Sequence, residues 1–194
     1  MSDLTQVLPK SMAMPLNGSL RVMRWIVILS GFLMATTFFM VVVVRYGFNG
    51  NLFAYEEWLL TFCFWGFFAG AALASERGYH INADILGIVI SNPRLRWWRQ
   101  LIVLSVELFI TAAILYWGYL MLAEEIGNYP LWKRTPALQI PYFVWRLSIF
   151  LGFLYMTLFS AIYLYAHIRG LQIGEGEFVE LDLSDDQPEQ GEKP

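Results

Sequence analysis

An all-α membrane protein with four transmembrane helices is the fold class this sequence predicts. Three observations carry that expectation. Of the 194 residues, 57% are hydrophobic and only 15% are charged, against about 25% charge in a soluble domain. Four long runs hold almost no charge at all. No internal repeat or second domain is visible, and the length suits one domain.

Crossing a hydrocarbon core of about 30 Å takes roughly 17 to 25 apolar residues. The first such run is 25–44, which contains no charge; the second, 58–74, is shorter and also uncharged. The third, 101–122, holds one ionisable residue, Glu107, and the fourth, 142–165, holds Arg146 near its start. A polar stretch, 1–24, precedes the first apolar run, and that run is too long for the apolar core of a signal peptide and ends in Val42-Val43-Val44-Arg45 without a small-residue cleavage site. The first helix is therefore expected to stay in the mature protein.

Orientation is read from the basic residues, which stay preferentially in the cytoplasm. Lys10, Arg21, Arg24, Arg77, Arg94, Arg96, Arg99, Arg169 and Lys193 fall on one side of the four spans; Arg45, Lys133, Arg134 and Arg146 fall on the other. Nine against four places both termini in the cytoplasm. Trp25, Trp97 and Trp98 then mark the inner interface and Trp58, Trp132 and Trp145 the outer one, where amphipathic rings prefer to sit.

The connections differ in character. Between spans 1 and 2 lies a compact turn, Arg45-Tyr46-Gly47-Phe48-Asn49-Gly50-Asn51, followed by Glu56-Glu57 at the mouth of the second helix, where acidic residues suit the positive end of a helix dipole. In 79–90 the apolar Ile81, Ile85, Ile88 and Val89 share one face opposite His80, Asn82 and Asp84. That pattern is an amphipathic helix, too short to span and so expected to lie along the cytoplasmic surface or a partner. Ser91-Asn92-Pro93 stops it. Residues 169–194 carry eight acidic groups among few hydrophobic ones, the composition of a disordered, solvating tail.

Few residues invite chemistry. Glu107 lies about 9 Å inside the cytoplasmic end of span 3 at 1.5 Å per residue, and an intramembrane carboxylate is a candidate for function. Two readings stay open: a packed polar contact with a Tyr or Arg near the inner face or with another subunit, or an ion or proton site. Arg146, near the other end of its span, is out of its reach. His80 and Asp84, four apart, could pair or supply two metal ligands, but two ligands do not make a site. A haem subunit needs axial histidines inside its spans, and the two histidines, His80 and His167, both fall near the cytoplasmic face. Cys63 is the single cysteine, so no internal disulfide is possible; it reads as a small core residue. No phosphate-binding loop ending in Lys-Ser or Lys-Thr occurs, and no cofactor is expected.

The strongest packing signal is Gly66, Gly70 and Ala74, small residues at every fourth position that let a second helix approach span 2 closely. Ser148 and Gly152 give a weaker version in span 4. The sum is a four-span protein with packing faces and no evident catalytic machinery, which describes a subunit.

The order of motifs resembles the small membrane subunit, the DctQ-like or Q subunit, of tripartite ATP-independent periplasmic (TRAP) transporters. The residues that carry the resemblance are Arg45-Tyr46 closing span 1, Glu56-Glu57 opening span 2, and Gly70-Ala71-Ala72 running into Arg77, His80, Ile81 and Asp84. Before span 4, Pro136-Ala137-Leu138-Gln139-Ile140-Pro141 is similar to the family's segment at that place. These cover most of residues 20 to 168.

The resemblance implies a multi-pass protein of the bacterial inner membrane that is not an enzyme. It implies a secondary transporter driven by a sodium gradient, in which a periplasmic binding protein delivers an organic acid such as a dicarboxylate or a sialic-acid-like carboxylate. A large, DctM-like subunit of about a dozen spans would carry substrate and sodium, and the small subunit would be its scaffold in the lipid bilayer, with no nucleic acid involved. On that reading Gly66, Gly70, Ala74, His80 and Asp84 would pack on the large subunit. Asn49, Tyr55, Lys133 and Arg134 would meet the binding protein. The rival classes are a stand-alone ion-coupled transporter using Glu107 and an anchoring subunit of a membrane oxidoreductase.

Overall fold

A chain that crosses a bilayer must satisfy every backbone N–H and C=O internally, and long apolar runs meet that condition as helices. The computed structural model describes residues 10–77 and 93–169. Over these the chain forms α1 (Lys10–Gly47), α2 (Tyr55–Glu76), α3 (Pro93–Gly127) and α4 (Phe143–Ile168). All four are long and apolar enough to cross a membrane, so the predicted fold class holds. The predicted surface helix at 79–90, with His80 and Asp84, and the acidic tail lie outside the described residues.

Local chemistry sets the helix ends. Beyond α1, the amides of Phe48 and Gly50 both return to the Val44 carbonyl, at 3.3 and 3.0 Å, with Asn49 at a φ of 49°, a left-handed conformation that asparagine tolerates better than most residues. Pro93 opens α3, where its missing N–H leaves nothing unpaired. Inside the helices, the hydroxyls of Thr37, Thr61 and Thr111 donate to the carbonyls of Leu33, Glu57 and Glu107, four residues back, and so enter an apolar span without an orphaned O–H.

Helix α1 starts well before the predicted span at Trp25. Hydropathy places the boundary where charge ends, but the helix follows a repeat that runs through the charged stretch: Leu16, Met23, Ser30 and Thr37 recur every seven residues and are all buried, with Leu20 between them. Met23 and Ser30 of this stripe meet α2, and seven-residue spacing suits long helices packed side by side. Thirty-eight residues make about 57 Å of helix, more than a bilayer core.

The packed pairs are α1 with α2, α2 with α4, and α4 with α3. The helices therefore stand in a row, with α2 and α4 in the middle and α1 and α3 outside. At the end that holds Lys10, Glu76, Pro93 and Ile168, called here the terminal side, Leu16 and Leu20 reach past α2 to bury with Phe159 of α4. Met23, Ala69 and Ala72 form the adjoining cluster. The opposite end, the loop side, carries the 48–54 turn and the 128–142 loop.

Two glycines fix the closest approaches. A Cβ on Gly66 would lie 2.8 Å from the Ser30 Cβ of α1, and one on Gly152 would lie 2.8 Å from the Phe68 Cβ of α2. Both are nearer than side chains come without displacement. The predicted small-residue row on α2 thus receives a helix at Gly66, and that helix is α1 of the same chain; Gly70 follows it, with Val27 at 3.8 Å from the position of its Cβ. Cys63, expected in the core, is instead exposed on α2, although its spacing puts it on the same helix face as Gly66 and Gly70.

Candidate functional site

The polar groups of a membrane protein repay attention because each must be matched in a medium that offers no water. On the loop side they converge on Glu57. Its carboxylate stands in the first turn of α2 and accepts the backbone N–H of Ala137 at 2.9 Å and of Leu138 at 2.7 Å, one on each oxygen. The Thr135 hydroxyl also bonds this carboxylate and accepts the Ile140 N–H at 3.0 Å.

The loop held this way is closed on itself. Thr135 N–H donates to the Ile140 carbonyl at 3.0 Å and Tyr142 N–H to the Lys133 carbonyl at 3.1 Å, with Arg134 opposite Pro141. Gln139 turns the tip at a φ of 58°. Successive amides aimed at one point make a small anion-binding concavity, and here the chain's own Glu57 fills it.

Beneath the loop, aromatic rings and a buried ion pair tie α3 to α4. Trp145 donates its indole N–H to the Thr61 hydroxyl at 2.8 Å and lies between Phe64 and Tyr142, at centroid distances of 6.2 and 4.9 Å. Trp132 stacks on Phe143 at 5.2 Å and donates to the Glu125 carbonyl at 3.0 Å. The Arg146 guanidinium meets the Glu125 carboxylate at 2.6 Å, with the acid side chain only 5% exposed.

Lys133 and Arg134 are exposed on the outer strand of the clamped loop, and Asn49 is exposed in the neighbouring turn; Tyr55, first residue of α2, is half-buried. Arg45 sits in the last turn of α1, and Tyr46 after it is exposed. Glu56 points outward while Glu57 is half-buried. The two acids predicted alike as helix-start charges are thus distinct: both suit the dipole, but only Glu57 has the loop in its grasp.

Deeper, Glu107 accepts the Ser160 hydroxyl of α4 at 2.6 Å. This is a polar contact between α3 and α4, and the donor to this oxygen is a serine. Glu107 also edges an open groove of about 460 Å³ walled by Ile102, Val103, Val106 and Ile110. At the terminal side the Tyr163 hydroxyl donates to the Glu76 carbonyl at 2.8 Å, while the Glu76 carboxyl group, 1% exposed, has no hydrogen-bond partner on either oxygen among the described residues. His167 lies against Trp97, ring to ring at 5.3 Å.

Sequence reasoning missed Glu57's loop contact, the Glu125–Arg146 pair and buried Glu76. The pair did leave a signal, since Glu125 and Arg146 are opposite charges a few residues from facing ends of consecutive helices. Backbone amides leave none. Among the described residues, no group of three or more His, Cys, Asp or Glu could hold a metal ion.

Four apolar helices in a row, tied by a few buried polar contacts, define a multi-pass all-α membrane protein. Residues 33–170 match the family described as tripartite ATP-independent periplasmic transporters, DctQ component. The match spans well over half of the chain, which belongs to this family of TRAP transporter small subunits. A comparison with curated proteins gives no match.

Proposed function

We propose that this chain is the static scaffold of a TRAP transporter in a bacterial inner membrane, with both termini in the cytoplasm, the loop side in the periplasm, and import of an organic acid driven by a sodium gradient. The observation that carries the scaffold reading is the open row of helices. In the outer helices α1 and α3 only 11% of the most apolar window is buried within the chain. Trp25, Ile28, Phe32 and Phe39 on α1, and Ile102, Val106, Phe109 and Trp117 on α3, are all exposed.

A lone four-helix bundle would close on itself, whereas a row leaves faces for lipid and for a larger subunit. In that complex the DctM-like partner moves the substrate and this chain widens the immobile part. Gly66 and Gly70 are taken up by α1 of the same chain, so Ala74 with His80 and Asp84 is the remaining candidate contact with the large subunit. Asn49, Tyr55, Lys133 and Arg134, on the loop side, supply the candidate docking surface for the periplasmic binding protein. Two adjacent cations there favour an acidic partner surface and speed encounter more than they deepen affinity.

Affinity purification of the chain from its native membranes, tagged after Pro194 and identified by mass spectrometry in mild detergent, tests the reading. A large, many-spanning membrane protein in stoichiometric amount is expected. Recovery of the chain alone, or paired only with itself, would overturn the scaffold role.

A further inference from the structure

The scaffold reading leaves Glu57 unexplained. A carboxylate at a helix start needs no loop to satisfy it, because water and the helix amides suffice. Yet here each carboxylate oxygen is committed to a different amide of a segment 80 residues away in sequence, and the Thr135 hydroxyl adds a third contact. These bonds fall on the tip of the loop, 137–138, and not on its basic residues. Lys133 and Arg134 sit on the outgoing strand, paired across to Pro141 and Tyr142, and their side chains stay exposed.

We infer that Glu57 is a positioning residue: by clamping the loop tip to α2 it holds Lys133 and Arg134 in the arrangement that receives the binding protein. The inference rests on the docking reading above. Its physical basis is the cost of ordering. A loop already fixed loses little conformational freedom when a partner binds, whereas a free loop must be ordered at that moment, and this weakens association. The clamp also joins the docking surface to α2, whose other face meets α1 at Gly66 and α4 at Phe68, so the surface is tied to the rigid middle of the row.

The test compares wild type, Glu57→Ala and Glu57→Gln in the assembled transporter, with Lys133→Glu/Arg134→Glu as reference. Two quantities are read. One is the rate of trypsin cleavage after Lys133 and Arg134 in the purified complex, which follows how often the loop opens. The other is the binding-protein concentration giving half-maximal uptake in proteoliposomes, measured separately from the maximal rate.

Glu57→Ala should raise both the cleavage rate and the half-saturating concentration several-fold while leaving the maximal rate at saturating binding protein. Glu57→Gln, which keeps one acceptor oxygen, should fall between. A purely structural role would instead lower complex yield and maximal rate with no shift in half-saturation, and that result overturns the inference. Unchanged cleavage in both variants overturns it too, as does faster cleavage without a shift while the double charge reversal still shifts half-saturation. If the charge reversal is itself silent, the docking reading fails, and the positioning role fails with it. Should Glu57→Ala not assemble, Glu57→Gln alone decides between these outcomes.

Discussion

Arg146→Ala is expected to be among the most damaging single substitutions in the chain, costing about 3 to 5 kcal/mol, the usual penalty for removing one partner of a buried ion pair. The loss comes less from the bond than from what it leaves. Glu125 is 5% exposed, so its charge would face a medium of low polarity with no donor in place of the guanidinium. The backbone there is held as well, since the Trp132 indole donates to the Glu125 carbonyl and its ring covers Phe143. Unfolding in detergent, followed by tryptophan fluorescence, should shift down by roughly 10 °C. Arg146→Lys should recover part of this, since the ammonium keeps the charge but not the planar fork. The pair Glu125→Gln/Arg146→Met should melt above Arg146→Ala, because it buries no orphaned charge. Lys133→Ala, which removes an exposed cation of the 128–142 loop, should melt like wild type. If Arg146→Ala also melts like wild type, the pair does not hold α3 to α4.

How far such contacts could be read in advance depends on what kind of atom makes them. The four spans were legible because side chains decide them: a long apolar run with at most one charge marks a span. The family was legible for the same reason, since the order Arg45, Glu56-Glu57, Gly70 and Pro136 to Pro141 is a side-chain pattern, and the family match at 33–170 falls on the stretch that carries it. The start of α1 was lost because hydropathy averages over a window. The buried stripe from Leu16 to Thr37 is a matter of period, and it continues through Arg21 and Arg24 while the average falls.

Small residues at Gly66 and Gly152 announced close packing without naming the helix that packs, because a missing side chain carries no information about its neighbour. Glu107 was visible as an isolated acid, but its donor, Ser160, is an ordinary serine until α3 and α4 are laid side by side. Glu57 was the hardest. Its partners are backbone amides, which every residue but proline possesses, so neither Ala137 nor Leu138 could have been singled out. Contacts to backbone are therefore where this family's loop-side geometry has to be learned from structure.

Among the glycines, Gly152 is expected to be the least replaceable. A Cβ at Gly152 would meet the Cβ, Cδ1 and backbone oxygen of Phe68 at 2.8, 3.1 and 3.2 Å. A flexible side chain could yield, but a backbone oxygen moves only with its helix, and Phe68 is further held by Phe64, Phe67 and Phe153 around it. Gly152→Ala must therefore part α2 from α4 at the centre of the row, costing about 1 to 3 kcal/mol as overpacking does, and Gly152→Val should cost more. Gly66→Ala is expected to be milder because it meets only the Cβ and Oγ of one serine and no backbone atom, and adding Ser30→Gly, which removes both, should restore stability. Gly118, with Phe150 at 3.8 Å, should accept alanine, and Gly31, with nothing within 4 Å, should gain from it, since alanine favours a helix by up to about 1 kcal/mol over glycine. The order in thermal stability should run Gly31→Ala highest, then Gly118→Ala, Gly66→Ala and Gly152→Ala. If Gly152→Ala instead matches Gly31→Ala, then α2 and α4 do not approach this closely, and the row would have to be held by its polar contacts alone. The copurification yield with the large subunit separates the two effects of parting the helices: a scaffold weakened only internally loses stability and yield together, whereas a scaffold whose outer faces are also displaced loses its partner first.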